Sequence, residues 1–586
     1  MNTGDKTTVY SNSDGKPALI IFAAILAAQI FVLVPLNLYF NNLDEMSVTL
    51  SELLKLSLIP SLLLILTLIL CGHFVSDRVR QPITVILATL IILIWLQSNL
   101  LLWDYGLLDG RMIDWTVYSW QGWVDAAIWL AVLATALWIS KRHKKIILNL
   151  AVFVFTIQLL ALCLLGFQQR DNLIAENTES EVALEQLYRF SGQGNVLHLM
   201  VDGFQADVFN DLINVSGLGA HYQQAFDGFT YFPETLSVFP YTRFSLPSFL
   251  SGKLYANEMP QDAFVDKVLS EDTILGLAHE NGYEVDIAAG NPYLEKRYVN
   301  MPHDHMYGLH DIDPAHAEIA EVAQLFDIGL FRSVPHFLKP LVYNEQHWLL
   351  SELLAVDSGM RFDYFQHTYF IYRLIEEMSV DREGPVYKYI HIMNTHNPMV
   401  VGEDCRYAGK VSAMTRYTLT AQSKCTMDTL AALLNKMKEV GVYDNSLIIV
   451  HADHGGWIGN RRQEAQVVFP DGRPAPDWLA SLASPLLAIK LPESRGPVEV
   501  SETLASLADL PDTISGIMGW QADFGHLSLY SDAAADPERE RIFRFYSWRK
   551  TEWSEQYASP IVEFSVTGSH YNTRWQVVNM YHPPAQ

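Results

Sequence analysis

Val196-Leu-His-Leu-Met-Val201, closed by Asp202-Gly203-Phe204, is a short apolar run that ends on a carboxylate and a glycine. A run of this length, bounded by a turn signal, reads as a strand buried on both faces. Comparable runs recur at Glu284–Ala289, Val386–Met393, Leu447–Ala452 and Pro485–Leu491. Within Cys425–Val440, Met427, Leu430, Leu434 and Met437 fall at helical spacing. Strands alternating with helices predict an α/β domain with a mostly parallel central sheet over residues 195–586. The aromatic and β-branched stretch Arg541–Trp575 predicts a small antiparallel β subdomain within 541–586. An Asp at the carboxyl end of a buried strand faces the crevice where open α/β sheets bind ligands. Alone it is a weak signal, since many such residues cap helices; Asp207 reads as a cap rather than a ligand.

Upstream of this domain the texture is different. Five apolar runs precede residue 170: Ala18–Phe40, Leu53–Phe74, Pro82–Trp103, Trp123–Ser140 and Ile146–Phe167. Each is near the roughly 20 residues needed to cross a hydrocarbon core. They predict a five-helix transmembrane domain over 1–167, with 168–194 as a juxtamembrane linker. The first run is too long for a cleaved signal peptide, and four more follow it. The loops Asp77–Arg80 and Lys141–Lys145 are basic, whereas Asn41–Met46 and Asp104–Gly122 are not. Basic loops stay in the cytoplasm, which puts the N-terminus inside and everything after Phe167 outside. Trp103, Tyr105, Trp115, Tyr118 and Trp120 in the outer loop read as interfacial anchors, or in part as a lipid-entry surface. The spans hold few charges, with Lys55 and Asp125 near ends, so no transport pathway is signalled.

The chain has 586 residues, half of them hydrophobic, and a net charge of −25. That balance argues against nucleic acid as a partner. Four Cys make no disulfide scaffold. Cys71 and Cys163 fall in membrane runs and read as small apolar residues. Cys405 and Cys425 fall in the outer domain, where a bridge between them is expected.

Two further segments carry chemistry. Leu447-Ile-Ile-Val-His-Ala452 is followed by Asp453-His454-Gly455-Gly456, offering one oxygen and one nitrogen ligand beyond a buried strand. His451 inside the strand reads as a core histidine. In Phe239-Pro-Tyr-Thr242-Arg-Phe-Ser245-Leu-Pro247, Thr242 precedes a short helix. A helix start favours an anionic group. A hydroxyl on a metal beside it becomes a usable nucleophile. Without the other two segments, Thr242 reads as a plain N-cap.

Together these segments resemble the alkaline phosphatase/sulfatase superfamily, in particular its membrane-anchored branch. That branch includes lipoteichoic acid synthases and lipid A phosphoethanolamine transferases. Asn394-Thr-His396-Asn-Pro398 resembles its substrate-side histidine segment, and Ser501–Gly519 resembles its late helix. The resemblance covers about residues 195–530. It implies that Asp202, Asp453 and His454 bind one divalent metal ion, Zn²⁺ or Mn²⁺, with Thr242 as metal-bound nucleophile. It implies that His396 contacts the phosphate or protonates a leaving group. Arg243 faces an oxyanion or forms a surface ion pair; Ser245 and Pro247 are structural. A threonine at 242 disfavours sulfate ester hydrolysis, because it cannot give the sulfatase aldehyde. Ile392 stands where two-zinc relatives carry an Asp, and Trp457–Lys490 has no His, which favours a single metal. Asp202 stands where several of the transferases carry Glu.

The implied function is a phosphotransferase of the bacterial inner membrane, multi-pass, with its catalytic domain on the outer side. It would move phosphoethanolamine or phosphoglycerol from a phospholipid donor to an envelope glycolipid or glycan through a phospho-threonine intermediate. The same site with water as acceptor is a phosphodiesterase, phosphatase or sulfatase-type hydrolase. A non-catalytic lipid-sensing relative is disfavoured by the intact Asp202, Thr242, Asp453 and His454.

Overall fold

A computed structural model of the chain describes residues 15–43, 46, 48–105, 113, 115–170, 180–215, 218–271, 273–291, 297–309, 314–344, 347–354, 362–459, 467–547, 556–572 and 575–584. They form two compact units, 1–177 with 313–358 and 178–312 with 359–586. Most of the acidic residues of the outer loops (Asp44, Glu45, Asp109 and Asp114) lie outside the described residues.

The first unit is helical. Helix α1 (Gly15–Ala28) runs through a π-helical turn (Gln29–Leu33) into α2 (Val34–Asn41). Helix α3 (Leu50–His73) starts at a capping box between Thr49 and Glu52. Helices α4 (Asp77–Asn99) and α5 (Ser119–Gln168) follow. Among the described residues, four stretches are long and apolar enough to cross a membrane. The five expected spans become four because the last two runs are joined in α5. At 1.5 Å per residue, 50 residues reach roughly 75 Å, far beyond a core of about 30 Å. The helix breaks at His143 (φ −135°, ψ 47°), inside the basic stretch Lys141–Lys145, whose charges resist hydrocarbon.

Residues 313–358 fall inside the stretch read from sequence as one outer domain, yet group with the first unit. Their helix Pro314–Ser333 packs against α2, α3 and α4. The loop aromatics meet this segment instead of serving only as anchors. Tyr105 is buried against Phe331 (ring centroids 5.6 Å) and Tyr118 (4.9 Å), and its hydroxyl bonds His336 Nδ1 at 2.9 Å. Trp120 stays exposed. Asp125 is fully buried, and accepts from Trp103 Nε1 (2.8 Å), Gln97 Nε2 (3.2 Å) and the His336 N–H (2.9 Å). Three donors satisfy a carboxylate that would otherwise be costly at this depth.

The second unit is built on an eight-stranded sheet. Its strands are β1 (Asn195–Val201), β2 (Phe229–Tyr231), β3 (Glu284–Ala289), β4 (His305–Gly308), β5 (Val386–Ile392), β6 (Ser446–His451), β7 (Leu487–Lys490) and β8 (Glu499–Val500). The spatial order is β8-β2-β7-β6-β1-β5-β3-β4. Only β7 runs against the others. Strand β1 sends Leu197, Leu199 and Val201 into one core and Val196 and Met200 into the other. Burying both faces explains its unbroken apolar run, at about 1.5–3 kcal/mol per large side chain. A separate antiparallel sheet joins β9 (Glu540–Phe545), β10 (Ile561–Thr567) and β11 (Gln576–Tyr581) around Phe543, Phe564 and Trp575. Cys405 and Cys425 form a disulfide; Cys71 and Cys163 are free and exposed.

The pairing of β1 places the chemistry. Met200 pairs with His451 on β6 and with His391 on β5, in parallel register. Three strands therefore release their next residues at one edge: Asp202 from β1, Met393–His396 from β5 and Asp453-His454 from β6.

Candidate metal centre

Asp202, Asp453 and His454 converge with ligand atoms within 4.8 Å of one another, all buried. His454 Nε2 lies 3.7 Å from Asp202 Oδ1 and 3.4 Å from Asp453 Oδ2. The main chain holds each in place. The Asp202 N–H donates to Ile392 O at 2.9 Å, and Thr395 Oγ1 donates to Asp202 O at 2.6 Å. Gly203 turns the chain at φ +71°, which favours glycine, and its N–H reaches Asp453 Oδ1 at 3.3 Å. Gly455 is required by space: a Cβ there would lie 2.0 Å from Ser481 O.

Two observations show that this donor set fits a divalent cation. Asp202 Oδ1 and Asp453 Oδ2 are buried without a hydrogen-bond partner among the described residues. His454 Nδ1 is 2.8 Å from Gly455 O, so Nδ1 carries a proton and donates it. In the neutral ring Nε2 then turns a lone pair toward two carboxylates, an arrangement that needs positive charge between them. Two oxygens and one imidazole suit a hard or borderline divalent cation. The charges are strained in the way a shared site predicts. Burial, then the charge of Asp202, raises the Asp453 carboxyl above the ordinary range. Burial also pushes Asp202 upward, but His396, His391 and His454 outweigh it and hold it low. Burial lowers His454, and Asp453 and Asp202 more than reverse this.

Thr242 is the first residue of the helix Thr242–Ser251, whose N-cap is Tyr241. Its hydroxyl is therefore not a cap. Oγ1 instead donates to Asp202 Oδ2 at 3.2 Å. Ser245 ties the helix start to the site, its Oγ donating to Asp453 O at 2.6 Å. Arg243 reaches Asp262 at 3.1 Å, so its guanidinium is committed to a carboxylate, as in the ion-pair alternative. Asp207 lies in the first turn of helix Ala206–Asn214, where Gln205 is the N-cap, and it pairs with Arg416 at 2.6 Å.

His396 backs onto Gly203, whose Cβ would lie 3.8 Å from His396 Cα. Its Nδ1 is 2.8 Å from Asn397 O, which leaves Nε2 for other partners. Its half-buried ring meets Trp457 at 6.3 Å, and Trp457 is equally far from the His454 ring.

Sequence reasoning missed Trp457 and His391. His391 Nε2 lies 3.3 Å from Asp202 Oδ2, and Tyr298 Oη is 2.8 Å from its Nδ1. A hydroxyl donating to Nδ1 leaves Nε2–H to hold the carboxylate, the usual way a second residue orients a ligand. His198 and His451 are core histidines, bonded to each other at 2.8 Å.

A family model described as Sulfatase matches residues 194–520, more than half of the chain. No curated protein sequence matches. Among solved structures, the chain is similar to the lipoteichoic acid synthase LtaP from Listeria monocytogenes (10% identity, 67% of this chain and 88% of that one, TM-score 0.38). It is similar to a phosphonate monoester hydrolase of Agrobacterium radiobacter (12%, 66% and 89%, 0.41). It is also similar to the C-terminal periplasmic domain of EcEptC from Escherichia coli (12%, 61% and 91%, 0.36). At such identities and scores they carry no argument about reaction or substrate. The family match spans the strands and turns that supply Asp202, Thr242, Asp453 and His454, and on it the chain belongs to the sulfatase family.

Proposed function

We propose that the chain is a metal-dependent phosphotransferase with Thr242 as its nucleophile. It moves a phospho-headgroup, phosphoethanolamine or phosphoglycerol, from a membrane phospholipid to an envelope glycolipid or glycan. The observation that carries this reading is Thr242 Oγ1 at 3.2 Å from Asp202 Oδ2, at the edge of the Asp202–Asp453–His454 cluster. The apolar N-terminal helices favour a lipid donor.

A divalent ion held by Asp202, Asp453 and His454 supplies charge stabilisation for a phosphoryl group and favours the alkoxide of a nearby hydroxyl. The residues do the rest. Thr242 loses its proton along its bond to Asp202 Oδ2. Oγ1 then bonds to phosphorus as the bond from phosphorus to the lipid alcohol breaks. His396 Nε2 gives a proton to the departing oxygen. In the second half His396 takes a proton from the incoming hydroxyl, which displaces Thr242 from phosphorus, and Asp202 Oδ2 returns its proton to Thr242 Oγ1. Splitting the transfer at a covalent intermediate makes two easier steps of one hard one. His391 positions Asp202 throughout.

Family membership equally supports a hydrolase, in which water takes the acceptor's place. One experiment addresses both. The full-length protein is incubated with phosphatidylethanolamine and phosphatidylglycerol vesicles, and the peptide bearing residue 242 is weighed. An added phospho-headgroup in the wild type, absent from Thr242→Ala, is expected. Release of nitrophenol from a phosphodiester without any adduct favours the hydrolase. Wild-type turnover by Thr242→Ala refutes the nucleophile in either case, and two metal ions per chain refute the single site.

A further inference from the structure

A cavity of about 120 Å³ lies in the first unit, among α2, α4, the second half of α5 and the end of helix Pro314–Ser333. It lies toward one end of the bundle. Gln169, just past α5, donates from Nε2 to Phe40 O near the end of α2 at 3.4 Å. Trp95, four residues before the end of α4, also lines the cavity. Gln158 lies ten residues before the end of α5, roughly 15 Å deeper. The cavity thus runs from a helix-end layer toward the depth of acyl chains.

Among the described residues its lining has one charge: Arg332 is half-buried there, and no described carboxylate lines the cavity. Arg332 has no hydrogen bond or ion pair among the described residues. The buried carboxylates of the unit are spent elsewhere: Asp125 on Trp103, Gln97 and His336, and Asp327 on the N–H groups of Leu350 and Ser351. Gln158 and Asn37 bring further N–H donors, while Asn99 spends its amide N–H groups on Trp95 O and Ser98 Oγ. Gln158 Oε1 accepts from Gln29 Nε2 at 3.0 Å, while Gln158 Nε2 and the Asn37 side chain have no partner among the described residues. The remaining wall is apolar, with Leu33, Ile157 and Leu162, and Ile157 and Asn37 are exposed on the outside of the helices. A guanidinium and two amides without acceptors, at the level where apolar wall begins, call for an oxyanion carried on a hydrocarbon chain.

We propose that this cavity binds the phosphodiester headgroup of one membrane phospholipid. Arg332 holds the phosphate oxygens, Gln158 and Asn37 donate to them, and an acyl chain lies along Leu33, Ile157 and Leu162. The site belongs to the helical unit and stands whether or not Thr242 is a nucleophile.

The test uses full-length protein in phosphatidylethanolamine and phosphatidylglycerol vesicles doped with a diazirine-acyl phosphatidylethanolamine. After irradiation, labelled peptides are mapped and counted. Labelling concentrated on the α5 peptide around Ile157 and Leu162 is expected. Arg332→Gln should reduce it about tenfold and Arg332→Lys less, because lysine keeps the charge but not the fork. If Arg332→Gln does not fold, Gln158→Leu should still reduce labelling severalfold with the arginine present. Thr242→Ala should label as wild type, which separates this site from the catalytic reading. Equal labelling of wild type and Arg332→Gln, or of a diazirine diacylglycerol lacking phosphate, overturns the proposal. So does displacement by free inorganic phosphate as effective as displacement by phospholipid.

Discussion

Gly455→Ala is the smallest change that tests how Asp453 and His454 are placed. A methyl at this position would lie 2.0 Å from Ser481 O and 2.9 Å from Ser484 O, where ordinary contact begins near 3.4 Å. Both obstacles are main-chain oxygens, and neither can swing aside as a side chain would. The Ser481–Ser484 turn is itself tied down: Gly455 N donates to Leu482 O at 2.8 Å and Ala206 N to Ser484 O at 3.0 Å. More than 1 Å must be found, either by pushing that turn outward or by withdrawing Asp453–Gly455 toward the carboxylate cluster. Overpacking of this kind costs about 1–3 kcal/mol. In a unit of this size that is roughly 2 °C of melting temperature per kcal/mol, hence about 2–6 °C. The larger effect falls on the metal. Ligand distances tolerate only about 0.2 Å. A displaced His454 should weaken metal binding at least about tenfold, removing some 1.4 kcal/mol of metal-linked stability. The assay is thermal melting of the detergent-solubilised protein after chelation, then with zinc or manganese restored. The variant should melt lower without metal and gain less from it. Gly192→Ala, with open space around the added methyl, serves as the control and should change neither value. A metal increment in Gly455→Ala equal to that of the wild type would refute the placement of these ligands.

His391→Phe keeps the ring's bulk and deletes its bonds to Asp202 and Tyr298. Metal affinity, read by titration of the same melting shift, should fall about 10- to 100-fold, and the metal-free melting temperature should drop by about 2–6 °C because the buried Tyr298 hydroxyl loses its partner; unchanged affinity would make His391 a core residue only. The disulfide Cys405–Cys425 closes a 20-residue separation, for which loop-closure entropy gives about 3 kcal/mol. The double change to Ala should lower the guanidinium midpoint accordingly, and wild type treated with reductant should match it; a midpoint unaffected by reductant would show that the bridge adds nothing to stability.

Asp202, Asp453 and His454 were legible in the sequence because each follows an apolar run whose end is marked by a small residue, Gly203 or Gly455. Burial on both faces leaves such a strand no polar position until it leaves the sheet, so the first carboxylate beyond it announces the edge where ligands bind. His391 obeys the same chemistry but was hidden, because it sits within its run rather than after it. His198, His391 and His451 look alike along the chain: each is a lone imidazole among Val, Ile, Leu, Met and Tyr. What separates them is register. His391 pairs with Met200, two residues before Asp202, and points to the side where Tyr298 and Asp202 meet it; His198 and His451 point at each other. Register is a pairing decision between strands almost 200 residues apart, and a slip of one residue would have turned His391 to the other face. The helical unit hid its return segment for the same reason. Phe331 is an ordinary core residue by composition, and nothing local says that its partners are Tyr105 and Trp115 rather than the sheet that precedes and follows it in sequence. The break at His143 was legible as charge but not as geometry: five cationic or polar residues in a row forbid a continuous span, yet allow either a loop or a single distorted turn, and the chain takes the turn. Chemistry that acts along the chain could be read; chemistry that depends on which distant element is the neighbour had to be seen.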